Sequence, residues 1–222
     1  MKKPELIVFD VNETLLDLSV MKSEINTAAG DQNAFDQWFS QLLQFAMAES
    51  LSGNYIDFGE VGKHTLEMTF TRLGKQISET EIINLLSMIT SLDPHKEVPA
   101  ALEKLKEAGY RMVTLTNGGL QTHTRQMAHS GLEQYFDALY SVEAVRKFKP
   151  HPETYNYVLE KEKCKASETM LIAAHAWDLL GAQRAGYKTG FIKRQGKVWY
   201  PGGIHPDMRG ESLEILAYQL TT

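Results

Sequence analysis

Hydrophobic positions change rhythm twice along the chain. Leu6 to Phe9 form an unbroken apolar run in "ELIVFD", the pattern of a strand buried on both faces, and the run stops at Asp10. From about residue 15 to 97 the apolar residues recur at three-and-four spacing: Phe35, Trp38, Phe39, Leu42 and Leu43, then Phe58, Val61, Thr65 and Met68, then Ile82, Leu85, Leu86 and Ile89. That spacing predicts amphipathic helices, each with one core-facing stripe. From about residue 98 strands and helices alternate. A helix around "AALEKLKEAG" closes at Gly109, the strand "YRMVTLT" follows, and a helix through "QTHTRQMAHSG" closes at Gly131. After the short strand "DALYSV" come the helix "PETYNYVLEKEK", the strand "TMLIAA", the helix "WDLLGAQRAG" and the strand "KTGFIK". "YPGGIHPDMRG" reads as a turn-rich surface loop.

Alternation of this kind predicts an α/β fold, a doubly wound and mostly parallel sheet with helices on both faces. The first strand needs neighbours that only the later region supplies. The helical stretch is therefore an insertion, with residues 1–14 and 98–222 as the core domain and 15–97 as a helical cap. Ligands in such folds bind beyond the carboxyl ends of the strands, where loop amides and helix N-termini converge. Asp10 ends the first strand, Thr116 and Asn117 end the second, Lys149 follows the third and Asp178 the fourth, so all are expected in one crevice beneath the cap.

Charge narrows the partners. Against 28 acidic residues there are 23 basic ones, a formal net charge of -5 that attracts neither nucleic acid nor an anionic membrane. A small molecule is the expected partner. No apolar run approaches the roughly 20 residues that span a bilayer, and "MKKPELIVFD" lacks the features of a signal peptide, so a cytoplasmic protein is expected. The single cysteine, Cys164, lies in the charged stretch "EKEKCKAS" and reads as a solvated helix end. His123, His129, His151 and His205 show no metal-ligand spacing and read as solvated.

The stretches "FDVNETLLD", "LTNGG", "KFKPHPETY" and "AHAWDLLGAQRAGYKTGFI", in that order, resemble the haloacid dehalogenase (HAD) superfamily, and within it the 2-haloacid dehalogenases. With the helical insertion the resemblance covers nearly the whole chain and implies a HAD or Rossmann-like core. It implies Asp10 as a nucleophile, which forms an ester or acyl phosphate that water later cleaves. Lys149, the lysine adjacent to the proline, is preferred over Lys147 as the cation that keeps Asp10 ionised. Thr116, Asn117 and the backbone near Gly118 and Gly119 are implied as neutral donors to substrate oxygens, with Val11, Asn12 and Phe39 as further substrate contacts. Thr14 donates to the nucleophile or caps the following segment. Asp178 either ligates magnesium, as in the phosphatases, or orients lysine and water, as in the dehalogenases.

The departures decide the expected chemistry. Phosphatases of the family carry a second Asp two residues after the nucleophile; here Asn12 has no proton to shuttle, and their further acid before Asp178 is replaced by Ala173. Halide leaves carbon as a stable anion and needs no acid. The expectation is hydrolytic dehalogenation of small 2-haloalkanoic acids through an aspartyl ester, with no cofactor required. The alternatives are a magnesium-dependent phosphatase, its ion on Asp10, Asn12 and Asp178, and a HAD-fold protein that binds a metabolite without turnover. The familiar dehalogenases carry Tyr at the position of Asn12, Arg at that of Phe39 just after the cap's Trp38, and "SSNAWD" for "AAHAWD". Loss of the Arg implies an apolar pocket that favours short acids. His175, in place of an asparagine, contacts substrate, helps activate water, or simply packs. Trp177 is expected in the core. The resemblance also makes a homodimer possible.

Overall fold

The computed structural model describes residues 3–222. Its strands are β1 (Leu6–Phe9), β2 (Arg111–Thr116), β3 (Ala138–Ser141), β4 (Thr169–Ala173), β5 (Lys188–Ile192) and β6 (Met208–Gly210). Its α-helices are α1 (Ser19–Ala29), α2 (Ala34–Leu51), α3 (Phe58–Arg72), α4 (Glu79–Ser87), α5 (Val98–Glu107), α6 (Leu120–His129), α7 (Pro152–Glu162), α8 (Ala176–Arg184) and α9 (Leu213–Thr221). The six strands form one parallel sheet in the order β3-β2-β1-β4-β5-β6. From β1 the chain winds outward through β2 and β3, then crosses back to β4 on the other side of β1. The order reverses between β1 and β4, so their carboxyl ends border the switch-point crevice.

Burial explains the run that opens the chain: Leu6, Ile7, Val8 and Phe9 are all fully buried, because β1 is covered on both faces. The helical insertion between β1 and α5 contains α1 to α4, with Met21, Ile25, Phe35, Trp38, Leu42, Val61, Leu66 and Phe70 among its buried side chains. Its helices begin at Ser19, so Thr14 caps none of them, and Thr14 acts on the nucleophile's side instead. The two linkers of the insertion run side by side. Leu16 pairs antiparallel with Pro94, Asp17 N donates to Asp93 O (2.9 Å) and His95 N to Leu15 O (2.9 Å). Arg194 pins both to the core, donating to Thr14 O (2.8 Å) and pairing with Glu97 (2.5 Å).

Two expectations about the C-terminal part are corrected. "DMRG", expected in a surface loop, holds β6, whose three residues are ordered by the free edge of β5 rather than by any propensity of their own. His123, expected in solvent, is fully buried on α6, where burial and the nearby Lys149 charge push its pKa down to about 4. Among the described residues no helix is long and apolar enough to cross a membrane.

Candidate active site

β1 delivers Asp10 to the floor of the crevice, and its two carboxylate oxygens have different partners. Oδ1 accepts from Lys149 Nζ (2.8 Å); Oδ2 accepts from Thr14 Oγ1 (2.7 Å) and lies 2.9 Å from His175 Nδ1. Burial opposes ionisation of Asp10, but the Lys149 ammonium and the His175 hydrogen bond outweigh it and hold the carboxyl well below its usual range. Lys149 is 1% exposed. Its Nζ also donates to Asp178 Oδ2 (2.6 Å) and to Leu115 O (3.0 Å), so one ammonium bridges two carboxylates. Asp178, in the first turn of α8, is fully buried, and its Oδ1 accepts from Tyr155 Oη (2.7 Å) on α7. Its own burial and the charge of Asp10 raise its pKa.

The other expected residues sit at varied distances from this centre. Asn117 Oδ1 accepts from the Lys149 backbone N–H (2.9 Å), which positions the lysine and fixes the amide's nitrogen as its donor end. Thr116 Oγ1 accepts from Gly118 N (3.2 Å), so the Gly118 amide, expected as a substrate donor, is already engaged. Val11, expected at the substrate, is a core side chain. Asn12 turns its Oδ1 to Gln126 Nε2 (2.9 Å), which also donates to Ile89 O (2.9 Å) in the insertion. Cys164 is only half buried, and Lys147 is not the lysine at Asp10.

His175 is buried between two carboxylates, its Nε2 lying 2.8 Å from Glu13 Oε2. Burial disfavours its charge, but the bonds to Asp10 and Glu13 prevail and raise its pKa to about 9. Glu13 in turn accepts from Lys197 Nζ (2.6 Å), and His175 and Lys197 hold it ionised against its own burial. Glu13 takes a left-handed φ of 60°, a strained conformation for a residue with a side chain, of the kind that clusters at functional sites. Two aromatic rings flank the imidazole: Phe39 of the insertion at 6.1 Å and Trp177 at 5.4 Å between centroids. Trp177, expected in the core, is thus half-buried at the site. A cleft of about 520 Å³ opens on Phe39, His175, Trp177, Lys197, Val198 and Tyr200, and Asp10, 5% exposed, lies behind it.

Glu13, Tyr155 and Lys197 complete a cluster that sequence reasoning did not assemble. Glu13 and Tyr155 lie inside the recognised stretches but outside their known roles. Lys197 sits in a loop without periodicity, and only the fold brings it to Glu13.

Magnesium does not fit this donor set. The two carboxylates it would share already share an ammonium, the second oxygen of each is held by Thr14 and His175 or by Tyr155, and Asn12 Oδ1 is taken by Gln126. Among the described residues no group of three or more His, Cys, Asp or Glu is arranged to hold a metal ion.

A family model described as haloacid dehalogenase-like hydrolase matches residues 7–192. The chain is 31% identical over 220 residues to haloacetate dehalogenase H-2 of Moraxella sp. (strain B), a match covering 98% of each chain. To the (S)-2-haloacid dehalogenase H-109 of Pseudomonas putida it is 30% identical over 208 residues, 93% of each. In fold it is similar to the L-2-haloacid dehalogenase of Xanthobacter autotrophicus solved with chloropropionic acid covalently bound, with a TM-score of 0.90 over 98% of each chain at 23% identity.

Proposed function

The chain belongs to the haloacid dehalogenase-like hydrolase family, and from that premise we propose that it dehalogenates small 2-haloalkanoic acids through a covalent Asp10 ester, without a metal. The observation that carries this reading is the Lys149 ammonium bridging Asp10 and Asp178. It keeps a nucleophile ionised in a buried site, and Thr14, His175 and Tyr155 engage the remaining oxygens of the two carboxylates. Attack by an Asp10 oxygen on the carbon bearing halogen forms the ester, and halide departs with the bonding electrons; water then cleaves the ester. Lys149 and Thr14 position the carboxylate, Asp178 and Tyr155 position Lys149, and Asn117 offers a neutral donor to the substrate. Residues 1–14 and 98–222 form the core that does this chemistry, and 15–97 the cap that closes over it, with Phe39 facing His175 from the cap side.

The test is halide release from 2-chloro- and 2-bromo-acids beside phosphate release from phosphate esters. Halide is expected, unaffected by a chelator, with Asp10→Asn inactive but folded. In a single turnover in heavy-oxygen water the label is expected on the Asp10 carboxylate before it reaches product. Phosphate release that depends on magnesium would overturn the reading.

A further inference from the structure

An ester on Asp10 has to be cleaved by water, and the residue expected from the family resemblance to manage that water is badly placed for it. Asp178 is fully buried, and both its oxygens are already engaged, one by Lys149 and the other by Tyr155. His175 lines the cleft. Its Nδ1 touches an Asp10 carboxylate oxygen at 2.9 Å, which sets it next to the carbon that water must attack. Its other nitrogen is held by Glu13 at 2.8 Å, and Glu13 is anchored by Lys197 at 2.6 Å. A base facing the reacting group and oriented from behind by a carboxylate is the arrangement that makes imidazole an effective proton acceptor.

We propose that His175 is the general base of ester hydrolysis and that Glu13 is its positioning residue, an inference that rests on the dehalogenase reading. The charged groups around the ring are Asp10 and Glu13 in direct contact, Lys149 beyond Asp10 and Lys197 beyond Glu13; Phe39 and Trp177 cover its faces. In the free enzyme the imidazole carries a proton on each nitrogen, between two anions. Displacement makes an Asp10 oxygen–carbon bond and breaks the carbon–halogen bond, and Asp10 becomes a neutral ester. Nδ1 has then lost its anion, and its proton passes to solvent while Glu13 retains the one on Nε2. As the oxygen of a water bonds to the Asp10 carboxyl carbon, Nδ1 takes a proton from it, and it hands this proton to the alkoxide oxygen when the ester bond breaks. The carboxylic acid left on Asp10 gives its own proton to Nδ1, which restores the starting pair. The turnover consumes one water and releases one halide, one hydroxy acid and one proton, and the proton leaves with the halide.

That order is measurable. Enzyme in excess is mixed rapidly with 2-bromopropionate in weak buffer near neutral pH, with a pH indicator, and bromide and lactate are measured in quenched samples. The expected result is proton release in step with bromide and ahead of lactate. In His175→Gln the bromide phase is expected to survive, while ester cleavage slows by about 100-fold or more, the span of a general base; the alkylated Asp10 then accumulates and is seen by mass spectrometry. Either measurement decides alone. Proton release in step with lactate, or cleavage of the ester by His175→Gln at the native rate, overturns the role of His175 and leaves dehalogenation standing. Absence of bromide release from the native enzyme overturns the dehalogenase reading and this inference with it.

Discussion

Lys149 is the residue on which the site's electrostatics turn. Replacing it with Met leaves Asp10 and Asp178 facing each other in a buried space with no cation between them. Breaking a buried pair by removing one partner typically costs about 3–5 kcal/mol, so Lys149→Met is expected to lower unfolding free energy in urea by that order and to abolish halide release. Two histidines should shape stability against pH from opposite sides. His123 has a folded pKa of about 4, below its unfolded 6.5, so its contribution is full above pH 6.5 and is lost as pH falls toward 4. His175 has a folded pKa of about 9, above 6.5, so its contribution is full below pH 6.5 and is lost as pH rises through 9. Each is worth about 3 kcal/mol at 1.36 kcal/mol per pKa unit. Thermal unfolding is expected to peak near pH 6.5, with His175→Gln flattening the alkaline limb and His123→Gln the acid limb down to about pH 5, where carboxylates take over. Asp10, Lys149, Thr14 and Asp178 were legible in sequence because each ends or follows a recognisable strand. The depth of His123 was not, since the face α6 buries is fixed by packing; nor was the Glu13–Lys197 contact, which joins residues 184 apart.

At the scale of elements, α7 and α8 carry the support of the site on a very close contact. A Cβ at Gly181 of α8 would lie 2.5 Å from Tyr155 Oη and 2.5 Å from Pro150 Cβ. Ala at this position would gain up to about 1 kcal/mol of helix propensity, yet it forces Tyr155 off Asp178. Gly181→Ala is therefore expected to lower both the melting temperature and the halide-release rate, checked by calorimetry and turnover on the same preparation; a stabilised, fully active variant would refute this account. The elements themselves were largely readable. Gly109 and Gly131 end their helices with φ of 76° and 68°, as expected of residues that pass readily into left-handed backbone. β6 escaped notice because its pairing is lent by β5. The inner face of α2 was readable as apolar, but not that Phe39, stacked on Phe35 at 5.7 Å, would reach across to the core's His175.

Across the whole molecule the charges of the site balance: Asp10, Asp178 and Glu13 face Lys149, Lys197 and a protonated His175. Lys197, paired with Glu13, also brings its Nζ to 5.8 Å from the Phe39 ring, so a core cation faces the insertion there. Alternation of strands and helices foretold the core, and unbroken helical rhythm foretold the insertion, but how the two close on each other depends on contacts no local pattern encodes. The paired linkers at Leu16 and Pro94 carry a last consequence. The insertion departs and returns through neighbouring residues, so to the sheet it is a hairpin whose tip happens to hold four α-helices and a short 3-10 turn. Lengthening such a tip changes closure entropy only slowly, and the residues that pair β1 with β2 and β4 all lie outside it. Exchanging the helical module would therefore spare the strands that lead to Asp10 and Asp178, while stripping Phe39 from the face of His175 and Ile89 from Gln126.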